Sequence, residues 1–90
     1  MYQLEQTGQF KKDIKLAKKR GLNMQLLDDV VTNLIEKGTL PQKNKPHKLT
    51  GNYKGFWECH IQSDWLLVWE PNDSIRLVTL TTTGTHSDLL

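Results

Sequence analysis

Two apolar stripes at helical spacing are followed, within one short chain, by three runs that read as strands. This change of period constrains the fold more than any other feature. Phe10, Ile14 and Ala17, with Leu16 at the margin, mark one face of a helix from about Gly8 to Arg20. Thr7 is placed to cap its start and Gly21 to end it. A second stripe (Leu26, Leu27, Val30, Val31, Leu34, Ile35) runs from a cap at Asn23 to about Lys37, with Gly38 behind it. The short link between the stripes predicts an antiparallel helical hairpin.

Beyond Lys37 the pattern changes. Thr39 to Asn52 reads as a lysine-rich loop interrupted by Pro41 and Pro46. Tyr53–Gln62, Asp64–Glu70 and Ser74–Thr82 are rich in aromatic, β-branched and Leu residues, and Ser63 and Pro71-Asn72-Asp73 separate them as two hairpin turns. Tyr2 to Gln6 alternates as a short opening strand. The expected organisation is β-α-α-β-β-β, an α+β fold whose helical hairpin covers one face of an antiparallel sheet. A sheet of this size cannot bury enough apolar surface alone.

Length and composition set the outer limits. Ninety residues are read as one domain, 1–90, with a limited core. A single cysteine excludes an intrachain disulfide framework and fits a reducing compartment. No apolar run approaches the roughly 18 residues of a membrane span, and the N-terminus lacks the order of a signal peptide. A cytoplasmic protein is expected.

The formal charge of +2 conceals a strong segregation. Lys11, Lys12, Lys15, Lys18, Lys19 and Arg20 face only Asp13 within residues 11–20, and Lys37, Lys43, Lys45, Lys48 and Lys54 occur in a stretch with no acid. Such segments either solvate a helix and a loop or present a face to a polyanion.

All three histidines fall in the second half, at His47, His60 and His86. Alternation along the first long strand places Lys54, Phe56, Glu58 and His60 on one face and Trp57, Cys59 and Ile61 on the other. Asp64 follows the next turn, and the last strand returns His86 toward that turn. His60, Asp64 and His86 are therefore expected to converge, with His47 leaning in from the loop. Cys59 on the core face argues against a thiol nucleophile, and a compact metal-ligand spacing is missing. Acid–base cleavage of RNA fits better: imidazole serves as acid or base near neutral pH, a carboxylate orients it, and lysines hold phosphate. Trp65, if exposed, offers a stacking surface for a base.

The segment from His47-Lys-Leu-Thr-Gly through Phe56-Trp-Glu-Cys-His60 to Asp64-Trp65-Leu-Leu-Val-Trp, followed by Gly84-Thr-His86-Ser-Asp-Leu, closely resembles the YafQ branch of the RelE/ParE toxin superfamily. The resemblance covers nearly the whole chain. It implies a microbial RNase-like fold and a bacterial type II toxin, a ribosome-dependent endoribonuclease that cuts mRNA by 2′-OH attack without a cofactor. Its catalytic positions fall on His47, His60, Asp64 and His86, with His86 as the acid and the others sharing base and phosphate-stabilising duties. Trp65 matches a position that contacts the active site. Phosphate contacts would come from Lys43, Lys45, Lys48 and Lys54 and from Lys11, Lys15, Lys18 and Lys19.

Two departures stand out. Trp57 occupies a position where such toxins often carry Arg, which implies one cation fewer near the site. The chain also ends in Leu89-Leu90, where relatives often have an aromatic residue. The family further implies a cognate antitoxin with a DNA-binding N-terminal half and an acidic segment that wraps the toxin. Two other readings are a ParE-like inhibitor of a protein such as gyrase and a catalytically silent RNA-binding module.

Overall fold

A computed structural model describes residues 1–89; Leu90, and with it the expectation about the last residue, lies outside them. Strand β1 (Gln3–Gln6) leads into helices α1 (Gly8–Lys19) and α2 (Met24–Lys37). The chain then forms β2 (His47–Lys48), β3 (Trp57–Gln62), β4 (Trp65–Asn72), β5 (Leu77–Gly84) and a terminal turn of helix, α3 (His86–Leu89). The sheet order is β1-β5-β4-β3-β2, with β1 parallel to β5 and all other neighbours antiparallel.

The helix ends are set as their sequence predicts. Thr7 Oγ1 accepts from the Phe10 amide and Asn23 Oδ1 from the Gln25 amide. Gly38 closes α2 in the left-handed region at φ 72°, directly against the Tyr2 ring, where a Cβ would collide. Phe10 and Ala17 of α1, and Leu27, Val30 and Leu34 of α2, pack onto Cys59, Ile61, Trp65, Leu67, Trp69, Val78 and Leu80 of the sheet. The helices thus cover the face that alternation assigns to Cys59.

Four details differ from the expected outline. The lysine-rich loop contributes an edge strand, β2, because His47 and Lys48 pair with Glu58 and Trp57 of β3. The first long strand starts at Trp57, since residues 51–53 form a tight 3-10 turn. Pro71 and Asn72 stay within β4, and the turn falls later, at residues 73–76, where Arg76 takes φ 50°. A single helical turn, α3, follows β5.

Candidate active site

Sheet register builds the site. His60 lies opposite Leu66, and Leu66 lies opposite Gly84, so one line across three strands ends where the chain leaves β5. Two residues later His86 folds back over the β3–β4 turn. Its backbone amide donates to Asp64 Oδ1 at 3.0 Å and its Nδ1 donates to the same oxygen at 2.6 Å. A carboxylate accepts only, so Nδ1 carries the proton and Nε2 faces outward. The His60 ring lies 5.6 Å from the His86 ring, centroid to centroid, tilted by 53°. A register irregularity between His60 and Gln62 bends the strand at this point. These two donors from His86 hold the Asp64 carboxyl below its ordinary value.

His47 comes in from β2. Its Nε2 lies 3.2 Å from Glu58 Oε1 and its Nδ1 2.9 Å from the Lys45 carbonyl. Both partners are acceptors, so the ring is fully satisfied when both nitrogens donate. Glu58 shares a strand face with His60 two residues on, which joins His47 to the same side of the sheet. The expected convergence of His60, Asp64 and His86 is present, whereas His47 joins through Glu58.

Sequence reasoning passed over Glu58 as a site residue, although its alternation with His60 was the available signal. It also missed Asn44, a buried residue whose side-chain amide donates to the His60 carbonyl at 2.9 Å and pins the lysine loop to β3. Thr85 and Asp88 form a reciprocal cap around His86: the Thr85 amide donates to Asp88 Oδ2 and the Asp88 amide to Thr85 Oγ1. The spacing Thr85-x-x-Asp88 signals this in the sequence.

Two expectations are corrected. Trp65 is 2% exposed and offers no face for stacking; its Nε1 donates to the buried Thr83 hydroxyl at 2.9 Å. Alternation places Trp65 in the core once β4 begins there. Trp57 costs the site no cation, because its side chain points away from His60 and stacks on Trp69, with ring centroids 6.2 Å apart. Lys48 follows it to that opposite face, its Nζ 5.8 Å from the Trp57 ring centroid.

Lys43, Lys45 and Lys54 are exposed in the segment flanking β2, and Lys11, Lys15, Lys18 and Lys19 are exposed on α1. A groove of about 860 Å³ runs between α1, residues 49–56 and the outer face of the sheet, with Leu16, Phe56, Val68, Glu58 and Asp88 among its walls. Burial pushes the Cys59 thiol up to about 12, so it stays protonated and unreactive. Among the described residues, no three His, Cys, Asp or Glu side chains gather as a metal site, and no helix is long and apolar enough to cross a membrane.

A five-stranded sheet backed by a helical hairpin thus carries imidazoles and carboxylates on its open face, with a basic helix alongside. The model of the YafQ family, bacterial toxins of type II toxin–antitoxin systems, matches residues 2–90. The chain belongs to this family. It is 39% identical over 87 residues to the mRNA interferase toxin YafQ of Escherichia coli K12, covering 96% of this chain and 92% of that one. It superposes on YafQ from an E. coli DinJ–YafQ complex with a TM-score of 0.91 at 37% identity, over 100% of this chain and 99% of the other. A metal-bound toxin from Helicobacter pylori matches equally well, with a TM-score of 0.91, 38% identity and full coverage of both chains.

Proposed function

We propose that this chain is the toxin of a type II toxin–antitoxin system, an mRNA interferase that cleaves ribosome-bound mRNA by acid–base catalysis. The observation that carries the reading is the His86–Asp64 dyad facing the His60 ring across 5.6 Å. Such a pair of imidazoles can serve two sides of one phosphodiester. His60, whose ring faces His86, is assigned as the base: it takes the 2′-OH proton as the 2′-oxygen attacks phosphorus. The bond from phosphorus to the 5′-oxygen breaks, and His86 Nε2 delivers a proton to that leaving oxygen. The products are a 2′,3′-cyclic phosphate and a 5′-hydroxyl, and no cofactor or metal enters the balance.

Asp64 acts through His86. It holds the tautomer that presents Nε2 and stabilises the imidazolium. His47 exchanges Glu58 for a non-bridging phosphate oxygen when RNA arrives, keeping its Nε2 a donor. Lys43, Lys45 and Lys54 beside β2, with Lys11, Lys15, Lys18 and Lys19 on α1, supply sequence-independent attraction to phosphate. Lys48 and Trp65 are not assigned to RNA. The partners are the 70S ribosome with its mRNA, and an antitoxin whose acidic segment covers the same basic face, which makes the two exclusive. The toxin works in the bacterial cytoplasm, as one domain carrying the whole activity.

The test uses ribosomes programmed with a defined mRNA. The unaltered chain should yield an upstream fragment ending in a 2′,3′-cyclic phosphate, and His86→Ala should lower kcat about 100-fold or more. Cleavage by His86→Ala at the unaltered rate would refute the assigned acid.

A further inference from the structure

Arg20 closes the basic run of α1, yet its exposed guanidinium is engaged in an ion pair rather than left open to phosphate. Nη1 donates to Asp88 Oδ2 at 2.6 Å and Nη2 to Asp88 Oδ1 at 3.3 Å, a two-pronged pair between the end of α1 and α3. Asp88 Oδ2 also accepts from the Thr85 amide at 2.9 Å, so one carboxylate both caps α3 and ties it to α1. Four residues of helix cannot hold their own shape in water, since isolated helices below about 12 residues are marginal. His86 is the first of those four. Its two bonds to Asp64 persist only while α3 keeps its orientation. Gly84 belongs to the same arrangement, because a Cβ there would meet Asp88 Cβ at 2.9 Å.

We infer that Arg20 is a positioning residue: through Asp88 and the Thr85 cap it fixes α3 and thereby aims His86 at Asp64. The inference rests on the proposed cleavage reaction for its kinetic consequence, while its geometric content stands alone. Exposed ion pairs add little to stability, so the effect belongs to geometry rather than to folding. A competing role is equally concrete: Arg20 releases Asp88 and grips phosphate like its lysine neighbours.

Two readouts separate these roles. The first is the titration of the Asp64 carboxyl, followed by NMR on the full chain without RNA. The groups around it are His86 and Asp88 of α3, His60 of β3 beside the His86 ring, and Arg20 of α1 behind Asp88. Asp88→Asn removes a negative charge, and by charge alone it should move the Asp64 pKa down. If the bracket aims His86, the same change loosens α3, takes both donors from Asp64 and moves its pKa up toward the ordinary carboxylate value.

The second readout is cleavage. Arg20→Ala should lower kcat about 10- to 100-fold, the scale of a misaimed catalytic group, with KM and the salt dependence of ribosome binding unchanged. Arg20→Lys, which keeps one ionic contact, should recover part of the loss. A downward shift of Asp64 in Asp88→Asn would overturn the inference, as would an Arg20→Ala chain with full kcat and a salt slope reduced by about one. If the unaltered chain cut no mRNA, the proposed activity would fail and the Asp64 titration would still decide the bracket.

Discussion

The Trp65 indole donates to the Thr83 hydroxyl, and that hydroxyl donates to the Leu66 carbonyl, all within buried surroundings that join β4 to β5. Trp65→Phe keeps most of the packing and removes one buried hydrogen bond. Chemical denaturation should show a loss of about 1 kcal/mol, with cleavage by the folded protein unchanged. Reduced cleavage at unchanged stability would return Trp65 to the RNA. At this scale the sequence was readable where alternation decides orientation: Cys59 inward and His60 outward follow from the pleat alone. Glu58 followed from the same pleat, but its pairing with His47 depended on β2, two residues with no strand pattern of their own. Trp65 misled because an Asp-Trp pair after a turn does not reveal where the next strand begins.

Elements differ in how far they declare themselves. Helices α1 and α2 were legible to within a residue because capping, periodicity and terminal glycine agree at both. The parallel pairing of β1 with β5 joins positions more than seventy residues apart, from Gln3 against Leu77 onward, and no local pattern carries it. The terminal turn α3 announces itself only in the Thr85-x-x-Asp88 cap spacing, since that cap and an ion pair hold it where helical propensity does not. Those anchors titrate. His86 holds Asp64, and Arg20 with Thr85 holds Asp88, below the ordinary carboxylate value of 3.8. Carboxyls with depressed pKa contribute stability that is present above the unfolded value and lost as pH falls through the folded one. The docking of α3 should therefore be complete from about pH 5 upward and lost progressively below pH 4, read from the amide shifts of residues 85–89. In Asp64→Asn combined with Asp88→Asn, that acid transition should disappear. A transition between pH 6 and 7 instead would implicate imidazole rather than carboxylate anchoring.

Across the whole molecule, the cations divide by the contacts they make. All these cations are exposed, but Arg20 is paired with Asp88 of α3 and Lys48 lies over Trp57, whereas the α1 lysines and Lys43, Lys45 and Lys54 beside β2 enter no ion pair among the described residues. If the α1 lysines meet rRNA phosphate, alanine at Lys11, Lys15 or Lys18 should each reduce the salt slope of ribosome binding by about one and leave kcat on bound mRNA intact. An unchanged slope would confine them to solvation or to the antitoxin. The overall charge of +2 gave no indication of this division, which appears only when each cation is placed on the fold. The account as a whole depends on His60 and His86 acting on one phosphodiester inside a translating ribosome. Mapping mRNA 5′ ends in cells expressing the unaltered chain, His60→Ala or His86→Ala tests this most directly. New 5′-hydroxyl ends within translated codons should accumulate with the unaltered chain and vanish with either substitution. Growth arrest by all three with mRNA intact would contradict it.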